Sequence, residues 1–344
     1  MTTVGLVGGG NITETHARAA LAIPGLRIGA IAGLNSARVG DLCSRYGGAP
    51  CADLETLLDR RPIDLAVIGS PSGLHAAQAT DIVRRGIPVL VEKPLDIRLD
   101  RIDALTAEAG RAGVPVGVLF QDRFKPGLLW AKALVDEGAI GTPILVRAEV
   151  PWYRPPGYYA ASRWRGTWAL DGGGAVMNQG IHTVDLLLWL LGDIVRVQGR
   201  TATRLHRIEV EDTAFALFEF AGGTIGSYMA TTAAYPGSAR RVSVTGTAGS
   251  LTIEGDEVTA VVRLDGVPVE RPSRDGGASS EAPSSAVVAD ITPHRSALED
   301  FVRVVEHGGT PRCDARDGRR SVAVVRALYE SSDSGRWADV SGKR

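Results

Sequence analysis

Apolar and polar residues along the first third of the chain predict strands and helices in alternation. Short apolar runs bounded by glycine, proline or polar residues predict buried strands, and segments with helical periodicity lie between them. The predicted strands are Val4–Val7, Leu26–Ala32, Ile63–Ile68, Pro88–Val91 and Pro115–Leu119. The predicted helices are Ile12–Ala22, Ser36–Tyr46, one from Asp53, Leu74–Arg85 and Leu99–Ala112. Apolar strands that alternate with helices are typical of a doubly wound α/β fold, a parallel sheet covered on both faces that binds nucleotides.

After Gln121 the pattern changes to a helix followed mainly by strands. The predicted helix is Pro126–Glu137, and the strands are Ile144–Val150, Val195–Thr203, Ala214–Phe220, Thr224–Thr231, Arg240–Thr245, Leu251–Ile253 and Val258–Leu264. Short polar or glycine turns between these strands predict a large, mainly antiparallel sheet with one face packed and one open. An open apolar face needs a partner chain, so we expect a homodimer or homotetramer that packs through this sheet.

The domain boundary is expected at this change of pattern. We predict a nucleotide-binding domain at 1–121 and a substrate-binding and oligomerisation domain at 122–344. The polar stretch Arg274–Ala286 is expected to be a mobile surface loop, and helices at Ser296–His307 and Arg319–Ser332 end the chain. The last of these helices is a candidate to pack back on the first domain.

Composition narrows the class of protein. The 344 residues carry a formal net charge of -1 with 44% hydrophobic and 22% charged residues, so no strong field draws the chain to nucleic acid or to an anionic membrane. No apolar run approaches a membrane span, and no basic segment or cleavage site precedes Val4. Cys43, Cys51 and Cys313 lack the spacing of a metal site and are expected to be free thiols. We therefore expect a cytoplasmic protein with no metal site.

A glycine-rich turn follows the first predicted strand and begins the first predicted helix. Gly8 and Gly10 match the first two glycines of the dinucleotide fingerprint, and Thr13 occupies the third position. These glycines permit the close approach of a pyrophosphate to the helix N-terminus, where Asn11 and Ile12 follow. The alternative is a glycine-rich turn that binds no nucleotide.

The end of the second predicted strand bears on the choice of cofactor. Enzymes that use NAD usually have Asp or Glu there to bind the ribose 2′-hydroxyl, but this chain reads Ala32-Gly33-Leu34-Asn35-Ser36-Ala37-Arg38. Ser36 and Arg38 could instead bind a 2′-phosphate, which favours NADP over NAD. The alternative for Arg38 is a solvated helix residue.

The tripeptide Glu92-Lys93-Pro94 ends a buried strand. A lysine at the carboxyl end of a strand in an open parallel sheet faces the crevice where ligands bind. Pro94 restricts Lys93, and Glu92 can hold the chain end by hydrogen bonding. Next to a cofactor cation such a lysine can exchange protons with a substrate near neutrality. The alternative is a solvated lysine at a strand end.

A second polar cluster lies in an otherwise apolar helix. Asn178, His182 and Asp185 are spaced i, i+4 and i+7 after a run of glycines, which predicts that all three share one helix face. Buried polar groups need hydrogen-bond partners, so this face is expected to meet a substrate. The alternative is a core histidine that its neighbours satisfy.

Aromatic and arginine residues crowd the segment 152–168. Tyr153, Arg163 and Trp164 are candidates to bind a polyhydroxylated ligand, because aromatic faces pack on sugar C–H surfaces and arginines donate to hydroxyl or carboxylate oxygens. Packing in an interface or a lid is the alternative.

These motifs together resemble the Gfo/Idh/MocA family, the glucose–fructose oxidoreductase and inositol dehydrogenase group. The motifs are Gly8-Gly9-Gly10 with His16, Ser70-Pro71-Ser72 with His75, Glu92-Lys93-Pro94, Arg123-Phe124-Lys125-Pro126, Gly172–Asp185 and Ala327–Ser331. The resemblance implies an N-terminal Rossmann domain, a C-terminal α/β domain on an open antiparallel sheet, and oligomers formed through that sheet. It also implies NAD(P)-dependent oxidation or reduction of a sugar, cyclitol or related polyol.

The resemblance further implies roles for single residues. Lys93 and His182 would form the catalytic pair. Ser70, Pro71, His75 and Glu92 would belong to the cofactor site, and Arg123 to the substrate site. The family often has Asp where this chain has Asn178. An amide cannot stabilise an imidazolium as a carboxylate does, so Lys93 is the better proton acceptor. Asn at this position is similar to family members that act on nucleotide-linked or modified sugars. Cofactor-retaining glycoside cleavage, a nucleotide or sugar sensor and a non-sugar substrate remain alternatives.

Overall fold

The computed structural model describes residues 1–60, 62–270, 288 and 290–340, so the predicted loop Arg274–Ala286 lies outside the described residues. The strands are β1 Thr2–Val7, β2 Leu26–Ala32, β3 Ala49–Cys51, β4 Leu65–Ile68, β5 Val89–Glu92, β6 Val116–Leu119, β7 Pro143–Pro151, β8 Ile194–Ala202, β9 Thr213–Phe220, β10 Ile225–Thr231, β11 Arg241–Gly246, β12 Gly249–Glu254, β13 Glu257–Arg263 and β14 Ala338–Asp339. The helices are α1 Asn11–Leu21, α2 Ser36–Tyr46, α3 Leu54–Arg60, α4 His75–Arg84, α5 Leu99–Ala112, α6 Pro126–Asp136, α7 Pro156–Ala160, α8 Ile181–Leu191, α9 Thr292–His307 and α10 Ala315–Ser334.

The chain forms two compact units. The first contains Met1–Phe124, the short segment Ala169–Asp171 and the described part of 286–322. The second contains Lys125–Trp168, the described part of 172–285 and that of 323–344.

The first unit is built on a six-stranded sheet in the order β3-β2-β1-β4-β5-β6, and every pairing in it is parallel. This is the strand order of a doubly wound Rossmann sheet, in which ligands bind at the carboxyl ends of the strands. Its strands are apolar on both faces because helices cover them: α1 packs against α2 and α9, and α4 packs against α5. The predicted parallel sheet is therefore confirmed.

The core of the first unit depends on a helix from late in the chain. Phe301 on α9 is fully buried with Leu298, beside Leu6 of β1 and Leu119 of β6. A Cβ on Gly117 would lie 2.8 Å from the Phe301 ring, so the glycine in β6 lets the aromatic side chain contact the sheet. Residues far apart in sequence thus share one apolar cluster.

The second unit is built on an eight-stranded sheet in the order β13-β12-β11-β7-β10-β9-β8-β14. Only the β7–β10 pairing is parallel within the described residues, and the others are antiparallel. Burial alternates along β7 and β9, as expected for strands with one covered face. The predicted mainly antiparallel sheet is confirmed.

The other face of this sheet presents apolar side chains to solvent. Phe215 and Leu217 on β9, Ile225 on β10 and Leu145 on β7 are exposed, Phe215 by 61%. The register pairs Ile225 with Leu145, whereas Leu217 and Phe215 of β9 lie opposite Ser227 and Met229 of β10. The four apolar side chains form a patch that extends over three adjacent strands. In the part of the chain that the structure describes, no helix is long and apolar enough to cross a membrane.

Candidate active site

The turn between β1 and α1 leaves its backbone accessible. Gly8 has φ of +129°, and a Cβ there would lie 2.7 Å from the carbonyl oxygen of Gly69, so only glycine fits. A Cβ on Gly10 would meet no atom within 4 Å, and no side chain caps the start of α1 at Gly10. Asn11 and Ile12 are the first residues of this helix. Its first amide groups and positive dipole end are suited to an anion such as a pyrophosphate.

The residues after β2 form a network of their own. Ser36 is exposed at the start of α2, and the Asn35 side chain caps that helix by accepting a hydrogen bond from the Arg38 amide at 3.1 Å. The Arg38 guanidinium lies 2.5 Å from Glu14 and 2.7 Å from Asp41, measured between nitrogen and oxygen atoms. Two carboxylates therefore already neutralise the charge that we expected to meet a 2′-phosphate.

His75 joins two loops at the carboxyl edge of the first sheet. One ring nitrogen lies 2.7 Å from the Pro94 carbonyl oxygen and the other 2.8 Å from the Ser70 carbonyl oxygen. The Ser70 hydroxyl donates to the Gln78 side chain at 2.6 Å, and Pro71 precedes a short 3₁₀ turn. The histidine joins the ends of β4 and β5, and its role toward a cofactor remains a prediction.

Lys93 is half-buried directly after β5, and its backbone is hydrogen-bonded to the buried carboxylate of Glu92. The Lys93 amide donates to Glu92 at 3.2 Å, and the other Glu92 oxygen lies 3.1 Å from Nε2 of His16 on α1. Burial opposes the charge on Glu92, but the His16 hydrogen bond and charge outweigh it, with a smaller effect from His294, and lower its pKa to about 2. Glu92 thus links the helix of the glycine turn to Lys93.

Arg123 has a structural environment that the sequence did not reveal. It is buried within the first unit, where its guanidinium lies 3.0 Å from Asp317 and donates to the Arg312 carbonyl at 3.3 Å. The Arg312 guanidinium donates in return to the Arg123 carbonyl at 3.1 Å. These contacts hold Arg123 within the packing of the first unit, and its role toward a substrate remains a prediction.

In the second unit, a change of helix type lies at the predicted polar cluster. The expected single α-helix is wrong for its first turns: Ala175–Gly180 is π-helical and α8 begins only at the next residue. Asn178 and His182 are half-buried, whereas Asp185 is only 1% exposed. Because a π-turn holds more residues than an α-turn, the i, i+4, i+7 spacing does not describe one regular helix face here.

The start of the π-turn rests on the buried carboxylate of Glu211. Its oxygens accept from the amides of Gly174 at 3.0 Å and Val176 at 2.8 Å, and from the Tyr329 hydroxyl at 3.0 Å. Burial raises the pKa of Glu211 to about 7, which these hydrogen bonds only partly oppose. Burial also raises the pKa of Tyr228, and the nearby Glu211 adds to that effect. Glu211 therefore fixes the backbone that carries Asn178 and His182.

The glycines before the polar cluster pack closely against neighbouring groups. A Cβ on Gly174 would lie 2.0 Å from the Glu211 carbonyl oxygen, and one on Gly173 would lie 1.9 Å from the Tyr329 hydroxyl. The glycines before the polar cluster are therefore required by contacts within the second unit.

The aromatic and arginine segment contains a buried network beside Asn178. Arg154 donates to the Gln179 side-chain oxygen at 2.7 Å, and the Gln179 amide nitrogen donates to Asn178 at 2.7 Å and to the Tyr158 hydroxyl at 2.9 Å. The Arg165 guanidinium stacks on the Tyr158 ring of this network, 4.5 Å from its centroid.

The three residues that the sequence selected in this segment have other surroundings. Tyr153 packs edge-to-face on Tyr235 with ring centroids 5.1 Å apart, Arg163 is exposed, and Trp164 is half-buried under the Arg165 guanidinium. Their roles toward a substrate remain predictions.

Several residues that shape the site were missed by sequence reasoning. Gln179, Arg154 and Arg165 lie in segments that the sequence singled out, but nothing in the pattern distinguishes them from their neighbours. Glu211 precedes Asp212 just before a strand, and an acidic pair beside an apolar strand is the one signal that could have drawn attention to it. Among the described residues no group of three or more His, Cys, Asp or Glu side chains could hold a metal ion.

Two family models match the chain. The model for the oxidoreductase family with an NAD-binding Rossmann fold matches residues 2–120, and the model for the GFO/IDH/MocA C-terminal domain matches residues 128–252. The chain belongs to the Gfo/Idh/MocA oxidoreductase family. Both halves expected from the resemblance are therefore present in this family member.

Similar proteins cover nearly the whole of this Gfo/Idh/MocA chain. Inositol 2-dehydrogenase 2 of Saccharopolyspora erythraea is 28% identical over 98% of this chain and 95% of its own length. The WlbA dehydrogenase of Bordetella pertussis, solved with NADH and UDP-GlcNAcA, is 29% identical with a TM-score of 0.88 over 99% of both chains. The WlbA dehydrogenase of Chromobacterium violaceum, solved with the same two ligands, is 28% identical with a TM-score of 0.88 over 100% of this chain and 97% of its own.

The residues of the first unit fit the dinucleotide that this family binds. The open space at Gly10, the uncapped start of α1 and the tight turn at Gly8 form a cradle that suits a pyrophosphate. The sequence prediction of a nicotinamide dinucleotide as cofactor is confirmed at the level of an NAD-binding fold.

We predict that Glu211 gives the protein a characteristic pH dependence of stability. Between pH 4.5 and about 7 the folded chain keeps a proton on Glu211 that the unfolded chain has released, so the free energy of unfolding falls as pH rises, by up to about 3 kcal/mol. Glu211→Gln cannot titrate and should lack this part of the slope. Thermal unfolding midpoints from pH 5 to 7.5 measure it.

The control is Glu209→Gln, which changes an exposed carboxylate that accepts a hydrogen bond from the Trp168 amide. It should keep the pH slope of the wild type. Equal slopes for Glu211→Gln and the wild type would contradict the prediction.

Proposed function

We propose that this protein transfers a hydride between NAD(H) and a secondary alcohol or ketone of a sugar, cyclitol or modified sugar. The observation that carries the proposal is the position of Lys93, which is half-buried at the carboxyl end of β5. Its backbone is hydrogen-bonded to Glu92, which in turn pairs with His16. The chain belongs to an oxidoreductase family. Relatives named as inositol 2-dehydrogenase and, at 25% identity, D-apiose dehydrogenase of Paraburkholderia graminis support this class of reaction.

The chain's own residues supply proton transfer and substrate binding in this proposal. Lys93 accepts the hydroxyl proton during oxidation and returns it during reduction, as a general acid–base group. His182 and Asn178 bind and orient the reacting oxygen from the π-turn and α8. When bound, the nicotinamide supplies a carbon that accepts or donates the hydride.

Asn178 suggests the kind of sugar. The family often has a carboxylate at this position, and the amide matches the earlier expectation of a nucleotide-linked or modified sugar. The two WlbA dehydrogenases, whose structures hold UDP-GlcNAcA, support that direction. None of the relatives named above is a glycoside-cleaving enzyme or a sensor, so those alternatives receive no support from them.

A cytosolic location remains a proposal, supported by the free thiols of Cys43, Cys51 and Cys313.

For the cofactor we propose NAD(H), against the NADP preference that the sequence favoured. Both carboxylates around Arg38 would lie near the added phosphate of NADP if that phosphate approached Arg38, and Glu14 is held there by Arg45 as well. Like charges in contact disfavour binding. The NADH in the two WlbA structures supports the same choice.

For the assembly we propose a homodimer or homotetramer through the open face of the second sheet. The patch of Phe215, Leu217, Ile225 and Leu145 presents four exposed apolar side chains on three adjacent strands. A second copy of the chain would remove it from water, and exposed patches of this kind mark protein interfaces.

Lys93→Ala should lower the turnover number by two to four orders of magnitude, because general acid–base help is typically worth about that much. The affinity for NADH should stay within about threefold of the wild type, since the glycine turn is unchanged. Stopped-flow hydride transfer and NADH fluorescence titration measure the two quantities. Lys132→Ala, which removes a surface lysine paired with Asp136, serves as the control. A loss below tenfold would exclude the role.

NADH should bind at least about tenfold more tightly than NADPH, because the carboxylates of Glu14 and Asp41 disfavour a further anion beside Arg38. Glu14→Gln removes one of these charges and should bring the affinity for NADPH closer to that for NADH. Fluorescence titration of the cofactor-free protein with both nucleotides measures it. Equal affinities in the wild type would refute the choice of NAD.

Phe215→Glu should shift the protein toward smaller assemblies, because it places a charge in the centre of the apolar patch. Light scattering after size-exclusion chromatography gives the mass. Leu21→Glu, a half-exposed leucine at the end of α1 in the first unit, is the control and should leave the mass unchanged. If the wild type is a monomer at micromolar concentration, the proposed assembly does not form.

A further inference from the structure

Two arginine guanidiniums, those of Arg154 and Arg165, stack on the ring of Tyr158 in the second unit. The guanidinium carbon of Arg154 lies 5.2 Å from the Tyr158 ring centroid and that of Arg165 lies 4.5 Å from it. Each also stacks on a tryptophan, Arg154 on Trp152 at 5.6 Å and Arg165 on Trp164 at 5.4 Å. The two cations thus share one aromatic ring, and each also stacks on a tryptophan of its own.

Neither cation has a carboxylate partner within the described ranges. Arg154 is 9% exposed, and the Nε atoms of both arginines are buried without a hydrogen-bond partner there. Burial, opposed in part by Tyr158 and Tyr159, lowers the pKa of Arg154, and the charge of Arg165 adds to the lowering. Arg38, by contrast, is paired with Glu14 and Asp41.

This arrangement leaves positive charge that the described residues do not balance with a carboxylate. Removing a cation from water is costly, and stacking on aromatic rings returns only part of that cost. An anion placed beside the guanidiniums would balance their charge and accept from the unused Nε groups.

The arginines are connected to the proposed substrate site. Arg154 donates to Gln179 at 2.7 Å, and Gln179 donates to Asn178 at 2.7 Å. One side chain therefore separates the cations from a residue that we assign to the substrate. An anion at the arginines would be close enough to belong to the same molecule.

We propose that Arg154 and Arg165 form a subsite for an anionic group, a carboxylate or a phosphate, on the sugar substrate. This assignment rests on the proposed function, since it takes the group at Asn178 to be the substrate. It makes the enzyme specific for acidic or nucleotide-linked sugars over neutral polyols, and it gives Arg154 the second task of orienting Asn178 through Gln179.

Calorimetric titration of the NADH-saturated protein tests the subsite without any turnover. The probes are D-glucose, D-glucuronate, D-glucose 1-phosphate and UDP-glucuronate. The wild type should bind at least one anionic probe tenfold or more tightly than glucose. A preference for glucuronate indicates a carboxylate subsite, and a preference for glucose 1-phosphate indicates a phosphate subsite.

Arg165→Gln should reduce the affinity for the preferred anion tenfold or more while the affinity for glucose changes by less than about threefold. Arg165→Lys keeps the charge but loses the planar fork, so it should recover part of the affinity and also serves if the glutamine variant does not fold. Arg326→Gln, an exposed arginine on α10, is the control and should bind like the wild type.

The proposal is overturned if glucose binds the wild type as tightly as every anionic probe, if no anionic probe binds, or if the Arg165 and Arg326 variants bind the anion equally. Formation of NADH from NAD and the preferred probe is measured separately. Anion-selective binding without NADH formation would reject the proposed oxidoreductase activity and leave the subsite intact.

Discussion

A carboxylate buried away from water must be given a cation or hydrogen-bond donors, and the candidate site depends on this constraint twice. In the first unit Glu92 meets it by pairing with His16, which fixes the strand end that carries Lys93 relative to the helix of the glycine turn. In the second unit Glu211 meets it through two amides and the Tyr329 hydroxyl, which fix the start of the π-turn that carries Asn178. Lys93 and Asn178 are therefore each positioned by a neighbouring buried acid, Glu92 in the first unit and Glu211 in the second.

The two acids are held in opposite electrical states. Glu92 has a histidine at 3.1 Å, and the pKa of its carboxyl is lowered to about 2, so it remains an anion at any physiological pH. Glu211 has only neutral donors, and burial raises its pKa to about 7. Neutral donors compensate a buried charge less well than a cation does. Glu92 next to Lys93 thus keeps its charge near neutrality, whereas Glu211, which fixes the segment of Asn178 and His182, changes its charge there.

Much of the fold follows from local pattern, and little of the site does. The parallel sheet, the antiparallel sheet and the turn at Gly8 were predictable because apolar periodicity and glycine spacing act over a few residues. The burial of Arg123 against Asp317 was not, since the two residues are far apart in sequence and the ion pair forms only after α10 has packed. The π-turn was missed because local pattern does not show its contacts: the amides at its start donate to Glu211, which lies on a later part of the chain. For the same reason, Arg154 and Arg165 became distinct from Arg163 only through their stacking on Tyr158.

The late position of α9 has a consequence for how the protein is made. The dinucleotide-binding sheet is complete by Leu119, but Phe301 and Leu298, which close its apolar cluster, leave the ribosome only after the strands β7–β13 have been synthesised. Until then the face of β6 at Gly117 has no aromatic side chain against it, and incomplete cores of this kind expose aggregation-prone surface. The unit that begins the chain therefore acquires its complete core only near the end of synthesis, after the strands of the second sheet have been made.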